Sequence, residues 1–316
     1  MALRALCLAA LLVWASGAVG DPARVEAAWR NWLAINGAPT STIAVVQRGR
    51  TTLRAGAGAR ANAPWPVMSV SKTFTGICTM ALVRQGRLDL EARLKHLLAG
   101  RPDILPPGHR NGRITLAALL THTSGLRPDA TQARFSGLMR ADPDDIPDVS
   151  RRALRRRPRD NDFFYNNENY ALLHLVLEEA TGRDVAAYCG KVLFDKATRA
   201  GPHPRYGVGL SYAGWQIGAA DLARFGAGLR PGKDWPAVAT DLDADYGPGI
   251  EMWTDRGLIW HFGQLCMPMH ADSTTLFYAE PGRFSVVVNV DRCFEGDEIR
   301  AFEEMVLKHL WAWKEP

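Results

Sequence analysis

The feature that most constrains the fold is the placement of strand-like segments at both ends of the 316-residue chain, with a long helical region between them. Near the start, residues 42–47 and 51–55 are rich in β-branched side chains and flank a Gly-containing turn, which predicts a hairpin. Four more segments of this kind lie near the end, at 249–253, 258–264, 274–278 and 284–290. Because helices do not alternate with these strands, we expect an α+β fold in which both ends share one antiparallel sheet.

The region between the strands indicates the domain organisation. Residues 87–204 contain mainly helical patterns and loops, and helical patterns at 21–34 and 298–313 flank the predicted sheet. A chain of this length can form one large domain, so we expect a single domain over residues 21–316. Its expected parts are an α/β part, residues 21–66 with 205–316, and an inserted, mostly helical part, residues 67–204.

Residues 1–20 have the pattern of a signal peptide. Arg4 supplies a positive start, residues 6–14 are apolar, and the small residues Ala18 and Gly20 predict cleavage before Asp21. An uncleaved N-terminal anchor is the alternative, and no other segment is long and apolar enough to span a bilayer. The sequence therefore predicts a periplasmic or secreted protein.

The composition is that of a globular protein, with 47% hydrophobic and 22% charged residues. These proportions exclude a disordered chain and a membrane protein with several spans. The formal net charge of +5 is accompanied by no nucleic-acid-binding motif, and the basic run at 151–157 predicts a solvated helix face. We expect a small-molecule or peptide substrate and no nucleic acid, and the oligomeric state stays open.

Export would place the cysteines in an oxidising compartment. The mature chain would keep Cys78, Cys189, Cys266 and Cys293, which allow three pairings. A Cys266–Cys293 bridge is favoured because both residues lie at predicted strand ends, and buried free thiols are the alternative. The soft side chains at 266–270 could bind Cu(I), but a disulfide or core packing explains them as well. The known zinc-binding signatures are absent from the sequence, and we expect neither a metal nor a cofactor.

A Ser-x-x-Lys element, Ser69 to Lys72, begins a long helical pattern. Residues i and i+3 share a helix face, so the lysine amine can reach the serine hydroxyl. A serine hydroxyl is a weak nucleophile until a base takes its proton, and a buried lysine with a lowered pKa can be that base. Alone the motif is weak evidence, because about one Ser-x-x-Lys pair occurs by chance in a chain this long. The alternative is an ordinary helix start that Ser69 or Ser71 caps.

Two further elements follow in the order found in a known family. Tyr165 and Asn167 lie in the helical region, and His261 and Gly263 lie on a C-terminal strand. With the Ser-x-x-Lys element they resemble the active-site elements of the serine β-lactamase and penicillin-binding protein superfamily. The class C branch, which includes β-lactamase-related esterases and D-aminopeptidases, is the most similar because its middle element is Tyr-x-Asn.

Longer segments extend this resemblance over most of the chain. They are PVMSVSKTFTG at 66–76, ITLAALLTHTSGL at 114–126, FYNNENYALL at 164–173 and ADLARF at 220–225. The second is the most specific, being close to the family's Leu-Leu-Thr-His-Thr-Ser-Gly-Leu signature. The resemblance implies a β-lactamase/transpeptidase-like catalytic domain.

The resemblance also implies a role for each matching residue. Ser69 attacks a carbonyl and becomes acylated, Lys72 accepts its proton, and Tyr165 exchanges a proton with the leaving group as acid or base. The backbone N–H groups of Ser69 and Gln264 form an oxyanion hole. The residues expected to bind the substrate are Asn167, His261, Gly263 and Gln264. His122 is expected to be structural, because the family's chemistry does not use it.

The third element departs from the family pattern, because His261 and Phe262 stand where β-lactamases carry lysine and threonine. In the family those two residues engage the substrate carboxylate, whereas a histidine can be neutral at pH 7 and phenylalanine has no hydroxyl. A packed strand histidine is the alternative reading of His261. The Pro-Gly that precedes the family's tyrosine is also absent. We therefore expect weak or no hydrolysis of β-lactams.

On these grounds we expect an exported serine hydrolase that cleaves an ester or amide through a Ser69 acyl-enzyme. One alternative is a slow acyl-binding protein, such as a penicillin-binding sensor, that acylates with little turnover. A D,D-peptidase or a true β-lactamase is another. A non-catalytic scaffold is disfavoured, because a scaffold has no need of Ser69, Lys72, Tyr165 and Asn167 together.

Overall fold

The helices and strands are those of the computed structural model, which describes residues 20–132, 145–240, 244–266 and 272–310. In chain order the helices are α1 (Pro22–Ile35), α2 (Ser71–Arg84), α3 (Leu94–Leu97), α4 (Leu116–Leu120), α5 (Ile146–Arg155), α6 (Asn167–Thr181), α7 (Val185–Leu193), α8 (Ala219–Gly228) and α9 (Gly296–Met305). The strands are β1 (Ser41–Gln47), β2 (Arg50–Ala57), β3 (Trp65–Pro66), β4 (Ala200–Pro202), β5 (Trp215–Ile217), β6 (Val238–Ala239), β7 (Asp245–Tyr246), β8 (Glu251–Trp253), β9 (Leu258–Leu265), β10 (Ser273–Glu280) and β11 (Phe284–Val290). Apart from Gly20, the predicted signal peptide lies outside the described residues.

One eight-stranded antiparallel sheet contains strands from both ends of the chain, in the order β2-β1-β11-β10-β9-β8-β7-β6. Strand β1 pairs directly with β11, from Ser41 opposite Val290 to Gln47 opposite Phe284. Strands β3, β5 and β4 form a second, three-stranded sheet. The predicted α+β fold with a shared antiparallel sheet is confirmed.

Strands β1 and β11, which pair with each other, are buried along their whole length. Each contains an uninterrupted apolar segment, residues 43–46 and 286–288, as expected where both faces of the sheet are covered. On one face α1 and α9 pack through Trp29, Trp32 and Phe302. On the other face α8 contacts β1 and β11, and the helical part of the chain, including α2 and α6, extends this core. The sheet therefore lies between two helical layers.

Several element boundaries differ from the predicted ones. The C-terminal helix was expected over 298–313, but α9 begins two residues earlier, because Glu295 and Glu298 form a capping box. It ends at Met305 and is followed by a 3-10 turn, while residues 311–316 lie outside the described residues. The short strands β6 and β7 were not predicted, since two-residue strands have no recognisable periodicity. Among the described helices, none has the length and apolarity needed to span a bilayer.

Two disulfides join the four cysteines of the described chain. The favoured Cys266–Cys293 bridge is confirmed and joins the end of β9 to the segment that follows β11. The second bridge, Cys78–Cys189, joins α2 to α7 across 111 residues. The alternative of buried free thiols is therefore wrong for these four residues, and the helix that follows Ser69 is covalently attached to its neighbour.

Helix α2 is also fixed by the turn between β7 and β8. Thr73 Oγ1 donates a hydrogen bond of 2.6 Å to the Gly249 carbonyl oxygen. A Cβ atom at Gly76 would overlap the Pro248 carbonyl oxygen, so the turn packs directly against the helix backbone. This close approach positions the first turns of α2 against the sheet.

Replacing Gly76 with alanine is expected to destabilise the protein, because the added methyl group has no space next to Pro248. Overpacking of this kind costs about 1–3 kcal/mol of unfolding free energy. Gly190, inside α7, has no neighbouring atom within 4 Å of its would-be Cβ. Alanine there should stabilise by up to about 1 kcal/mol through helix propensity. Thermal unfolding of both variants tests this, and shifts of the same sign would contradict it.

Candidate active site

Ser69 lies in a 3-10 turn, Met68–Val70, that leads directly into α2. The residue before it, Met68, has a φ of 44°, in the left-handed region that residues other than glycine adopt at a cost of about 1–2 kcal/mol. Ser69 is half-buried, whereas Val70 and Ser71 are fully buried. The strained turn thus leaves the serine as the residue of this segment that can reach a substrate.

Lys72 lies one helical turn after Ser69 and is completely buried. Its Nζ atom donates hydrogen bonds to Ser69 Oγ (3.3 Å), Asn167 Oδ1 (2.6 Å) and the Tyr212 carbonyl oxygen (3.0 Å). Burial lowers the pKa of Lys72 to about 7, and the Asp129 carboxylate opposes this shift. A large fraction of the amine is therefore neutral near pH 7, as a general base requires.

Tyr165 and Asn167 reach the site from the start of α6. The side chain of Asn166 caps this helix by accepting a hydrogen bond of 2.7 Å from the Glu168 N–H. Asn167, the first helical residue, thereby points its side-chain oxygen at Lys72. The Lys72 Nζ atom lies 4.7 Å from the centre of the Tyr165 ring. The structure thus brings together four predicted site residues: Ser69, Lys72, Tyr165 and Asn167.

The Tyr165 phenol is protonated at neutral pH, because burial raises its pKa. The Ser69 hydroxyl is near enough to oppose this shift, and the Asp129 and Glu251 carboxylates increase it. The Tyr165 hydroxyl has no partner in hydrogen-bonding geometry among the described residues. A buried hydroxyl without a partner next to the nucleophile is available to donate a proton or a hydrogen bond to a substrate.

His122, in the Thr-His-Thr-Ser-Gly-Leu segment, packs against residues 165–167, which carry Tyr165 and Asn167. His122 Nδ1 accepts a hydrogen bond of 3.2 Å from the Asn166 N–H, and the His122 and Tyr165 rings are 4.5 Å apart. Burial lowers the pKa of His122 well below its usual range, and the charge of Lys72 adds to this effect. These contacts hold the segment 165–167 in place and agree with a structural role for His122.

Strand β9 forms the opposite wall of the site. Strand β8 pairs with β9 only from Leu258 to Trp260, so the remainder of that edge has no partner strand in the described chain. A Cβ atom at Gly263 would overlap the Val67 carbonyl oxygen and lie 2.8 Å from the Ser69 nitrogen. The strand and the turn that carries Ser69 are therefore in backbone contact. The Gln264 side chain points away and donates to the Phe294 carbonyl oxygen (2.8 Å).

His261 faces the site as a neutral side chain. Burial lowers its pKa to about 3, and the nearby charge of Lys72 contributes. His261 Nδ1 lies 2.6 Å from the Phe262 carbonyl oxygen and must carry the proton, which makes Nε2 an acceptor. This Nε2 atom is buried without a hydrogen-bond partner in the described chain. Because neighbouring residues of a strand alternate between faces, the half-exposed Phe262 points away from the site and stacks on Trp260.

Three contributors to the site were missed by the sequence analysis. Asp129 Oδ2 accepts a hydrogen bond of 2.9 Å from the Asn167 N–H, and its other oxygen accepts from Thr131. Thr131 Oγ1 in turn accepts from the Asn167 amide at 2.8 Å. The third contributor is the Tyr212 carbonyl oxygen. A search for acidic and hydroxyl residues close after the Thr-His-Thr-Ser-Gly-Leu segment would have found the first two, but a backbone carbonyl leaves no signal in the sequence.

Two other sequence features lie outside this site. Within the basic run, Arg151 forms a surface ion pair with Asp148, whereas Arg156 pairs with the buried Glu168 beside the start of α6. Cys266 is consumed by its disulfide, and the rest of the proposed soft-ligand set, residues 267–270, lies outside the described residues. The described residues contain no group of three or more His, Cys, Asp and Glu side chains arranged to hold a metal ion.

Known proteins resemble this chain in both fold and sequence. A D-stereospecific amidohydrolase from Streptomyces sp. has a TM-score of 0.67 at 20% identity, covering 90% of this chain and 98% of that structure. The D-amino acid amidase of Ochrobactrum anthropi SV3, in complex with D-phenylalanine, has a TM-score of 0.70 at 14% identity, with 90% and 98% covered. At these identities the likeness concerns the fold alone.

The sequence comparisons are consistent with the structural ones. Protein flp of Staphylococcus aureus (strain COL) is 28% identical over 164 residues, which cover 48% of this chain and 32% of that protein. The chain thus spans about a third of the length of this relative. The family model described as Beta-lactamase matches residues 25–288, a segment that includes every predicted site residue. On this match and this fold, the chain belongs to the beta-lactamase family, within the serine β-lactamase and penicillin-binding protein superfamily.

Proposed function

We propose that this protein is an exported serine hydrolase that cleaves an ester or amide bond through an acyl-enzyme on Ser69. The observation that carries the proposal is the buried amine of Lys72, which contacts Ser69 Oγ at 3.3 Å. Its pKa of about 7 lets it be neutral and act as a base at physiological pH. Hydrogen bonds from Lys72 to Asn167 and to the Tyr212 carbonyl oxygen hold the amine in this position.

The reaction proceeds in two acyl transfers. The neutral Lys72 amine takes the proton of the Ser69 hydroxyl while Oγ attacks the substrate carbonyl carbon. The backbone N–H groups of Ser69 and Gln264 stabilise the negative oxygen that forms. The bond to the leaving group then breaks, and that group leaves with a proton. A water molecule attacks the ester on Ser69, and Lys72 takes a proton from this water. Lys72 then gives that proton to Ser69 Oγ as the acid leaves, which restores the serine hydroxyl and the neutral amine.

Tyr165 acts as a proton donor in this scheme. Burial keeps its phenol protonated at neutral pH, so it is unsuited to be the base. Its hydroxyl has no partner among the described residues and can donate to the departing oxygen or nitrogen. The charge of the Lys72 ammonium formed in the first step, with Nζ 4.7 Å from the ring centre, stabilises the phenolate until the ammonium proton returns to it.

The third element of the site favours substrates without a carboxylate at this position. His261 is neutral and offers a lone pair at Nε2, where the family's β-lactamases present a lysine cation. A lone pair accepts hydrogen bonds from an N–H or O–H group and repels a carboxylate. Amides and esters of D-amino acids fit this requirement, since their amino groups are donors. The structural neighbours named as D-stereospecific amidohydrolase and D-amino acid amidase support this substrate class.

A periplasmic or secreted location fits the two disulfides, because such bonds persist in oxidising compartments. The signal-peptide pattern of residues 1–20 supports the same location.

A second candidate is an acyl-binding protein that deacylates slowly. The buried, protonated Tyr165 favours it, because the phenol cannot act as a base on the attacking water and deacylation then depends on Lys72 alone. Wild-type protein treated with p-nitrophenyl butyrate distinguishes the candidates. We expect a nitrophenol burst equal to the protein concentration, followed by steady release, and a butyryl adduct on the peptide that contains Ser69. A burst without turnover would support the acyl-binding protein, whereas the absence of both nitrophenol release and adduct would contradict both candidates.

The same protein tests the substrate class. We expect the hydrolysis of D-phenylalanine amide to exceed that of the L-enantiomer and that of the β-lactam nitrocefin. Efficient nitrocefin turnover would show that the neutral His261 does not exclude carboxylate-bearing substrates.

A further inference from the structure

A cavity of about 510 Å³ lies outside the Ser69 site, between strand β2, the segment that precedes β3, and the start of α8. Pockets of about 300–1,000 Å³ are typical of small-molecule sites. Neither Ser69 nor any other predicted site residue lines this cavity. Its purpose is therefore not explained by the proposed hydrolase activity.

The walls of this cavity are strongly basic. Four arginines line it, Arg54, Arg60, Arg199 and Arg224, together with a single carboxylate, Asp221. A guanidinium is always charged in proteins, so the side chains that line the cavity carry an excess of positive charge at every physiological pH.

The one carboxylate is already fully engaged. One Asp221 oxygen pairs with Arg224, and the other accepts a hydrogen bond of 3.2 Å from Asn62. Asp221 is buried, so these contacts use up its capacity to neutralise another arginine. Asp195, a carboxylate that lines an adjoining pocket, accepts hydrogen bonds from the Ala197 and Thr198 N–H groups.

The other three guanidinium groups have no ion-pair partner among the residues that the structure describes. No ion pair or side-chain hydrogen bond joins Arg54, Arg60 or Arg199 to another residue in the described ranges 20–132, 145–240, 244–266 and 272–310. All three are exposed to solvent while they line the same cavity. Like charges gathered around a cavity repel one another, and an anion bound between them removes that repulsion.

The floor of the cavity is rigidly built. Asn62 accepts a hydrogen bond of 2.9 Å from the Ala220 N–H and donates to Asp221, which joins the segment before β3 to the start of α8. A Cβ atom at Gly218, the residue that caps α8, would overlap the Asn62 side chain. The positive end of the ten-residue helix α8 therefore faces the same cavity as the arginines.

We propose that this cavity binds a small oxyanion that carries two or more phosphate or carboxylate groups. A planar guanidinium group can bind either a phosphate or a carboxylate through two parallel hydrogen bonds. Three guanidinium groups without an ion-pair partner in the described chain favour a multiply charged ligand over a single chloride or acetate. The site is separate from Ser69, so binding does not depend on catalysis.

Isothermal titration of the wild-type chain at low salt, with tripolyphosphate in one arm and citrate in the other, tests the site. Tighter binding in the first arm identifies a phosphate ligand, and tighter binding in the second a carboxylate ligand. We expect Arg54→Gln with Arg199→Gln to weaken binding of the tighter probe at least tenfold, since two of the guanidinium groups that would bind the anion with charge-assisted hydrogen bonds are lost. Arg224 is left in place because it holds Asp221.

The matched control removes two charges elsewhere, with Arg84→Gln and Arg183→Gln, both exposed and outside the cavity. It should bind as the wild type does, and so should the Ser69→Ala variant. An equal loss of affinity in the cavity variant and in the control variant would mean that only the net charge of the protein matters, and would overturn the proposal. So would a cavity variant that binds normally, or the absence of binding to either probe at millimolar concentration. Equal unfolding midpoints for the two pairs establish that the fold is intact.

Discussion

Hydrolysis by the Ser69→Ala variant is expected to fall at least about 10⁴-fold below that of the wild type, because removal of the nucleophile leaves only substrate positioning and the oxyanion hole. The fold should be almost unaffected. Ser69 is half-buried, and its hydroxyl accepts one long hydrogen bond of 3.3 Å from Lys72. The free energy of unfolding should therefore change by less than about 1 kcal/mol. Steady-state p-nitrophenyl butyrate hydrolysis and thermal unfolding are the two measurements.

Ser71, two residues further on, provides the matched control. Its hydroxyl is buried and accepts a hydrogen bond of 3.1 Å from the Trp215 N–H, away from Lys72. Ser71→Ala should lower stability by about 1–3 kcal/mol, because it leaves that N–H without a partner, while the folded protein keeps its activity. Ser69→Ala should therefore lose activity and keep its stability, whereas Ser71→Ala should lose stability and keep its activity. If Ser69→Ala kept more than a tenth of the activity, Ser69 would not be the nucleophile.

The second large effect is expected at Lys72, where replacement by methionine should lower kcat/KM about 10³-fold or more. Methionine fills a similar volume, but it cannot take the Ser69 proton, and general-base catalysis contributes about 10²–10⁴-fold. Lys72→Arg keeps the charge and can donate to Asn167, but a guanidinium does not lose its proton at neutral pH. Both variants should therefore be inactive between pH 6 and about 9. Activity in Lys72→Arg would mean that charge, and not basicity, is what the reaction needs.

The pH profile of the wild type follows from the same group. The neutral amine is the base, so kcat/KM should rise with pH through about 7 and then level off. The Asp129 carboxylate raises the pKa of Lys72, so Asp129→Asn should move this rising limb to lower pH. A profile that is flat from pH 5 to about 9 would show that no group with the lowered pKa of Lys72 acts in the rate-determining step.

The sequence predicts the parts of the site that depend on local geometry or on a known motif. Ser69 and Lys72 are three residues apart, in a 3-10 turn and the helix that directly follows it, so their contact follows from local helical geometry. Tyr165 and Asn167 are recognised by the family resemblance, and the structure places them against Lys72. The sheet is predicted because its strands have a clear β pattern at both ends of the chain.

Contacts that depend on tertiary packing are outside the reach of the sequence. The Tyr212 carbonyl, 140 residues from Lys72, is a backbone atom that any residue type supplies. The Cys78–Cys189 bridge joins two helices, and their patterns do not reveal that they are neighbours. The protonation of His261 also depends on how deeply its strand is buried, which its sequence position does not show.

The pairing of β1 with β11 determines when this protein can fold. The inner edge of β1 has no partner until residues 284–290 have been synthesised, so the central sheet closes one of the longest loops available in the chain. Loop closure of this length is entropically costly, and folds dominated by such distant pairings form slowly. Most of the polypeptide therefore leaves the ribosome before its core can assemble. Such a delay keeps the nascent chain unfolded until late in its synthesis, a state that the export proposed above would need.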